Sequence, residues 1–80
     1  MTKQQEPEMA VKRYWMGHVG LKDDFNDPIE KIFYDGKTLM GPWAIMTPQS
    51  WRKVGCMRTG TGYAQKYEKQ SDGRWLKVEG

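Results

Sequence analysis

Cys56 is the only cysteine in a chain of eighty residues, and this most constrains what the chain can fold into. A core of this size supplies only about 3–5 kcal/mol, so small domains usually add disulfides, a metal or a partner. One cysteine permits no internal disulfide. With His18, the only histidine, it makes two soft metal ligands where a closed zinc site takes four. The fold must therefore rest on packing, local hydrogen bonds or a partner. A single cysteine also suits a reducing compartment. The opening MTKQQEPEM is polar and acidic rather than a signal peptide, and no apolar run approaches membrane-spanning length. The expectation is a soluble cytoplasmic protein without membrane contact.

Local signals divide the chain into a flexible N-terminus, 1–8, and one small α+β domain, 9–80. MAVKRYWMGHVGL reads as an N-terminal edge strand, because neither of its faces is cleanly apolar. KDDFNDP is a turn-rich loop. IEKIFYDGKTLM reads as a β-hairpin turning at Asp35-Gly36, a preferred type I′ pair, with the second arm continuing through Gly41-Pro42 into WAIM. Thr47-Pro48 supplies an N-cap and a proline at the first helical position, and Gly55 a stop, giving a helix of about two turns. YAQKYEKQSDGRWLKVE closes the chain as a second hairpin, turning at Asp72-Gly73.

Several chemical motifs fail on inspection. DGKT would need a glycine at Lys31 to make a phosphate-binding loop, and GTG at 60–62 lacks its third glycine because Gln65 stands there. Asp23, Asp24 and Asp27 resemble part of a calcium loop, but Phe25 and Pro28 fall where oxygens are required. Cys56 and His18 have no orienting partner, and Cys56 reads as a small buried residue. No cofactor and no enzymatic activity are expected.

The charge is unevenly spread. Residues 1–40 carry six Lys and Arg against seven Asp and Glu, whereas 41–80 carry seven against three. The basic half points to an anionic partner. Its cations interleave with aromatics: Arg52, Lys53, Arg58, Tyr63, Lys66, Tyr67, Lys69, Arg74, Trp75 and Lys77. On a strand Tyr63, Tyr67 and Lys69 share a face, and Trp75 with Lys77 could join them from the paired strand. Rings and cations on one wet face hold nucleic acid by stacking and phosphate charge. A face packed against the N-terminal strand, its lysines snorkelling, is the competing arrangement. Trp43 and Trp51 read first as core.

FYDGKTLMGPWAIM and GTGYAQKYEK together resemble a group of small bacteriophage-encoded proteins of mostly unassigned function. Their pattern is a C-x-x-C before a PI dipeptide, a DGKT-like hairpin, GPWA-x-M, a second C-x-x-C and GTG-x-G-Q-K-Y. It looks like a zinc-ribbon or treble-clef knuckle, and the resemblance covers residues 22 to about 78. Here Lys22, Phe25, Thr47 and Ser50 occupy the four ligand positions, and Ala64 replaces the last glycine of the pattern. The resemblance therefore implies a metal-free, zinc-ribbon-like domain. Zinc in such domains contributes ~10 kcal/mol or more to folding, so something must replace it, with Phe25 a candidate plug. It further implies a phage accessory binding module acting in a host cell. Such a module would dock on nucleic acid or a nucleic-acid-handling complex. The alternative is a protein-binding inhibitor of a host enzyme such as a polymerase or defence nuclease.

Overall fold

In the computed structural model, which describes residues 12–80, one four-stranded antiparallel sheet carries one short helix. The elements are β1 (Ile32–Lys37), β2 (Trp43–Met46), α1 (Pro48–Val54), β3 (Ala64–Lys69) and β4 (Trp75–Glu79). Their order across the sheet is β2-β1-β3-β4. The architecture is thus the small α+β domain expected. No helix among the described residues is long and apolar enough to cross a membrane.

α1 forms where its local signals put it. Thr47 is the N-cap, its hydroxyl accepting from the Ser50 N–H, Pro48 opens the helix, and Gly55 ends it by donating to the Trp51 carbonyl. The helix lays Trp51 and Val54 on the sheet beside Met46, Ala64, Ala44 and Cys56. The Trp51 ring stacks on Tyr34 of β1, with centroids 4.3 Å apart and planes 2° from parallel.

The first hairpin corrects the sequence expectation. Asp35 and Gly36 lie inside β1, paired with Ile45 and Ala44 on one side and with Gln65 and Ala64 on the other. The chain turns later, over Thr38–Pro42, where Gly41 (φ +110°) donates to the Thr38 carbonyl and Thr38 to that of Pro42. Gly36 serves a close approach: a Cβ there would stand 2.2 Å from the Ala64 Cβ and 2.7 Å from the Tyr63 carbonyl oxygen. Asp72-Gly73, by contrast, does make the second turn. Gly73, at φ +89°, donates to the Gln70 carbonyl, and Gln70 donates to that of Arg74.

The expected N-terminal edge strand is also corrected. Residues 9–11 of it lie outside the described residues. The rest meets the β4 edge at one bridge, Tyr14 opposite Leu76, through two backbone bonds, Trp15 N–H to Trp75 O and Lys77 N–H to Arg13 O. Gly17, at φ +98°, then turns the chain away, and residues beyond it cross the sheet face opposite α1. Trp15 packs edge-on against Phe33 and Tyr67, with centroids 5.3 and 5.4 Å away.

The loop from Lys22 to Pro28 closes on itself and against the start of α1. Asp23 anchors it: Oδ1 accepts from the N–H groups of Phe25 and Asp27, and Oδ2 from that of Thr47, at 2.8–2.9 Å. Asp27 takes the Thr47 hydroxyl. Burial alone would push the Asp23 carboxyl up, but the Ser50 hydroxyl and the three N–H groups outweigh it and hold it below the usual value. Asp23 is only 6% exposed, whereas Phe25 is 46% exposed. Phe25 is therefore no plug; the loop is joined to the helix by a hydrogen-bonded carboxylate.

Candidate functional site

The ten basic and aromatic residues singled out in the sequence do not form one face. Arg52 and Lys53 are exposed on α1. Lys66 lies on the helix side of the sheet, its Nζ 5.9 Å from the Tyr34 ring and 3.8 Å from a Glu79 carboxylate oxygen. Arg74 sits in the β3–β4 turn over the Tyr14 ring, bound to Asp72 at 2.9 Å. Two hydrogen bonds from Arg74, through its backbone N–H and its side chain, lower the Asp72 carboxyl. Tyr67, Lys69, Trp75 and Lys77 share the face opposite α1, as their alternation requires.

On that face the two ends differ. Tyr67 stacks on Phe33 with centroids 5.0 Å apart, Trp75 meets Phe33 edge-on at 5.0 Å, and Trp15 closes over them. Phe33 has no exposure at all. This end is packed against the N-terminal segment, with Lys69 reaching to 6.0 Å from the Trp75 ring. The rings best placed for stacking by sequence are thus engaged with one another.

The other end is open. Lys37 pairs with Trp43 across β1 and β2, and its N–H donates to the Tyr63 carbonyl on the β3 side. Trp43, Lys37 and Tyr63 therefore form one rung across three neighbouring strand positions, about 4.8 Å apart. Arg58 lies 4.0 Å from the Tyr63 ring centroid and Lys37 Nζ lies 5.7 Å from it. The GTG segment holds Tyr63 in place. Gly60 at φ +128° and Gly62 at φ +86° close a turn in which Gly60 and Ala64 exchange backbone bonds and Tyr63 donates to Gly60. The N–H groups of Gly60, Tyr63 and Ala64 are thus spent within the turn, and the segment positions Tyr63.

Trp43 is 44% exposed, which corrects its assignment to the core; Trp51, at 6%, is core as expected. Sequence reasoning also missed Lys37, which falls in the acidic half of the chain. One signal could have found both: from Gly36 to Tyr67 there is no acidic residue, and Lys37, Arg52, Lys53, Arg58 and Lys66 fall within that stretch. Beside the rung, Leu39 and Met40 stand in the β1–β2 turn at 73% and 87% exposure.

Asp35 is the next residue inward from Lys37 on this face. Burial and then the charge of Asp24 push its carboxyl up, and burial and then Asp35 do the same for the Tyr67 hydroxyl. His18 belongs to the segment crossing this face, whereas Cys56 packs on the helix side, so no thiol–imidazole pair exists. Among the described residues no group of three or more His, Cys, Asp or Glu could hold a metal ion. No protein-family model, curated protein or solved structure matches the chain.

Proposed function

We propose that the protein is a non-enzymatic binding module that docks on nucleic acid through the open end of the sheet. One observation carries this: Trp43, Lys37 and Tyr63 with Arg58 place exposed ring surface and free cations together, in a stretch without an acidic side chain. Nucleic acid complements the rung, with negative charge at regular spacing for the cations and flat bases to stack on the rings. The C-terminal cations, Arg74 and Lys77, lie at the far side and make a secondary contact. The resemblance to small phage proteins supports an accessory role in a host cell.

Reversing charge at the rung tests the proposal. A Lys37→Glu and Arg58→Glu pair is expected to weaken binding to a labelled oligonucleotide more than an Arg74→Glu and Lys77→Glu pair. The opposite ranking would return the site to the C-terminal face. A second reading is supported by the exposed Leu39 and Met40, with Met57 at 59% exposure: an apolar tip of this kind suits a protein partner, such as a host enzyme that handles nucleic acid. A host partner that stays bound after nuclease digestion, and is lost with Leu39→Ser and Met40→Ser, would favour that reading.

A further inference from the structure

The sheet face that carries Trp43 also holds a cavity of about 250 Å³, between the strands and the segment crossing them. Its apolar walls are the Trp15 ring with Ile29 and Ile45, and the fully buried Phe33 lies behind them. Its polar groups are few, His18, Lys22 and Asp24. Asp24 accepts the Ile45 N–H through Oδ2 at 2.7 Å, while Oδ1 has no hydrogen bond among the described residues. An apolar, aromatic lining with a few fixed polar groups is the usual make-up of a small-molecule site. Pockets for drug-sized ligands run to ~300–1,000 Å³, so this one suits a single planar heterocycle.

The cavity and the rung belong to the same surface. Trp43 and Ile45 are two residues apart on β2 and share its face, so their Cα atoms stand roughly 7 Å apart. Neighbouring nucleotides of one strand can therefore reach both. Resting on the proposed function, we infer that the ligand is an unpaired strand. One base sits in the Trp15–Ile45 cavity, the next stacks on Trp43, and the phosphates meet Lys37 and Arg58. A duplex hides its base faces in the stack and cannot present them to a sheet, whereas unpaired bases splay onto aromatic rings. An acceptor at Asp24 and a donor at Lys22 match the mixed edge of a nucleobase.

Equilibrium binding of a short labelled oligonucleotide tests this in three forms: intact single strand, the same strand with abasic sites, and the duplex. The intact strand is expected to bind about a hundredfold more tightly than either other form, about tenfold for each of the two bases held. Trp43→Ala should cost the intact strand about tenfold of this and leave the base in the cavity. Gly20→Leu should cost about the same by filling the cavity it lines, and a Cβ there meets only the Lys22 carbonyl oxygen at 3.7 Å. The two together should bring the intact strand to the abasic level. Equal binding of all three forms, or a preference for the duplex, overturns the inference but leaves nucleic-acid docking standing. No binding to any form overturns both.

Discussion

The two faces of the sheet are built on opposite terms. Under α1 the packing is close: Tyr34 stacks flat on Trp51, Gly36 leaves room for the Ala64 methyl where β1 and β3 meet, and Met46 is fully buried. Across the sheet only one end is sealed, by Trp15 over Phe33, Tyr67 and Trp75. The rest leaves a tryptophan half in water, cations without acidic partners and a carboxylate pushed toward its neutral form. The helix-covered face and the sealed end around Phe33 hold the buried side chains, and the open end keeps groups that packing alone would reject. Substitutions should separate the two accordingly.

The largest effect is expected from Gly36→Ala. Its methyl would have to occupy space held by Ala64 and the Tyr63 carbonyl, so β1 and β3 must part at the centre of the sheet. Overpacking of this kind costs about 1–3 kcal/mol or more, most of what a domain of this size has. Circular dichroism should show the cooperative melt lost or shifted far down. An unchanged melting temperature would mean that the closely packed face is not what holds the fold.

Asp23→Asn comes next. It removes a buried charge accepting from Phe25, Asp27 and Thr47, and hydrogen bonds to charged groups contribute about 1.5–3 kcal/mol. A loss of about 1.5 kcal/mol is expected near neutral pH, because the amide oxygen keeps part of the acceptor set. The Asp23 carboxyl is lowered in the fold, so its contribution is present above the ordinary value of 3.8 and fades as pH falls through the folded value. Chemical denaturation across that acid range should therefore show a shallower pH dependence in the variant than in the parent. Identical acid limbs would assign the acid sensitivity elsewhere.

Asp35→Asn should have the smallest effect on stability and the opposite sign. Burial and Asp24 raise the Asp35 carboxyl, so the folded protein holds its proton longer than the unfolded chain does. Stability therefore declines as pH rises from the unfolded value near 3.8 through the folded one, and the penalty is complete at neutral pH. The amide avoids it, giving a small gain at pH 7 and none well below pH 3.8. Because Asp35 adjoins Lys37, the same variant should bind an oligonucleotide more tightly. Weaker binding would make the carboxylate part of the contact surface.

How much of this was legible in the sequence depended on how local its cause was. Thr47, Pro48 and Gly55 specify α1 from within the segment, and Gly73 specifies its turn, so both were readable. Asp35-Gly36 carries the same local signal as a turn, but its conformation is decided by Ala64 on another strand, twenty-eight positions away. Trp43 reads as core and Trp75 as part of an open face, and the fold reverses the two. Which one stays open depends on where the segment after Gly17 crosses the sheet, and no local pattern encodes that. Asp23 reads only as one residue of a turn-rich loop because its carboxylate's partners at Thr47 and Ser50 are remote in the chain.

The salt dependence of oligonucleotide binding tests the role of the open face most directly. If Lys37 and Arg58 meet phosphates, log affinity should fall linearly with log salt, with a slope of roughly −0.7 for each cation on a single strand, hence roughly −1.4 for the pair. The Lys37→Glu and Arg58→Glu variant should lose that slope. Affinity that stays constant from low to high salt, or a slope unaltered in the variant, would contradict the assignment of the open face as a nucleic-acid surface.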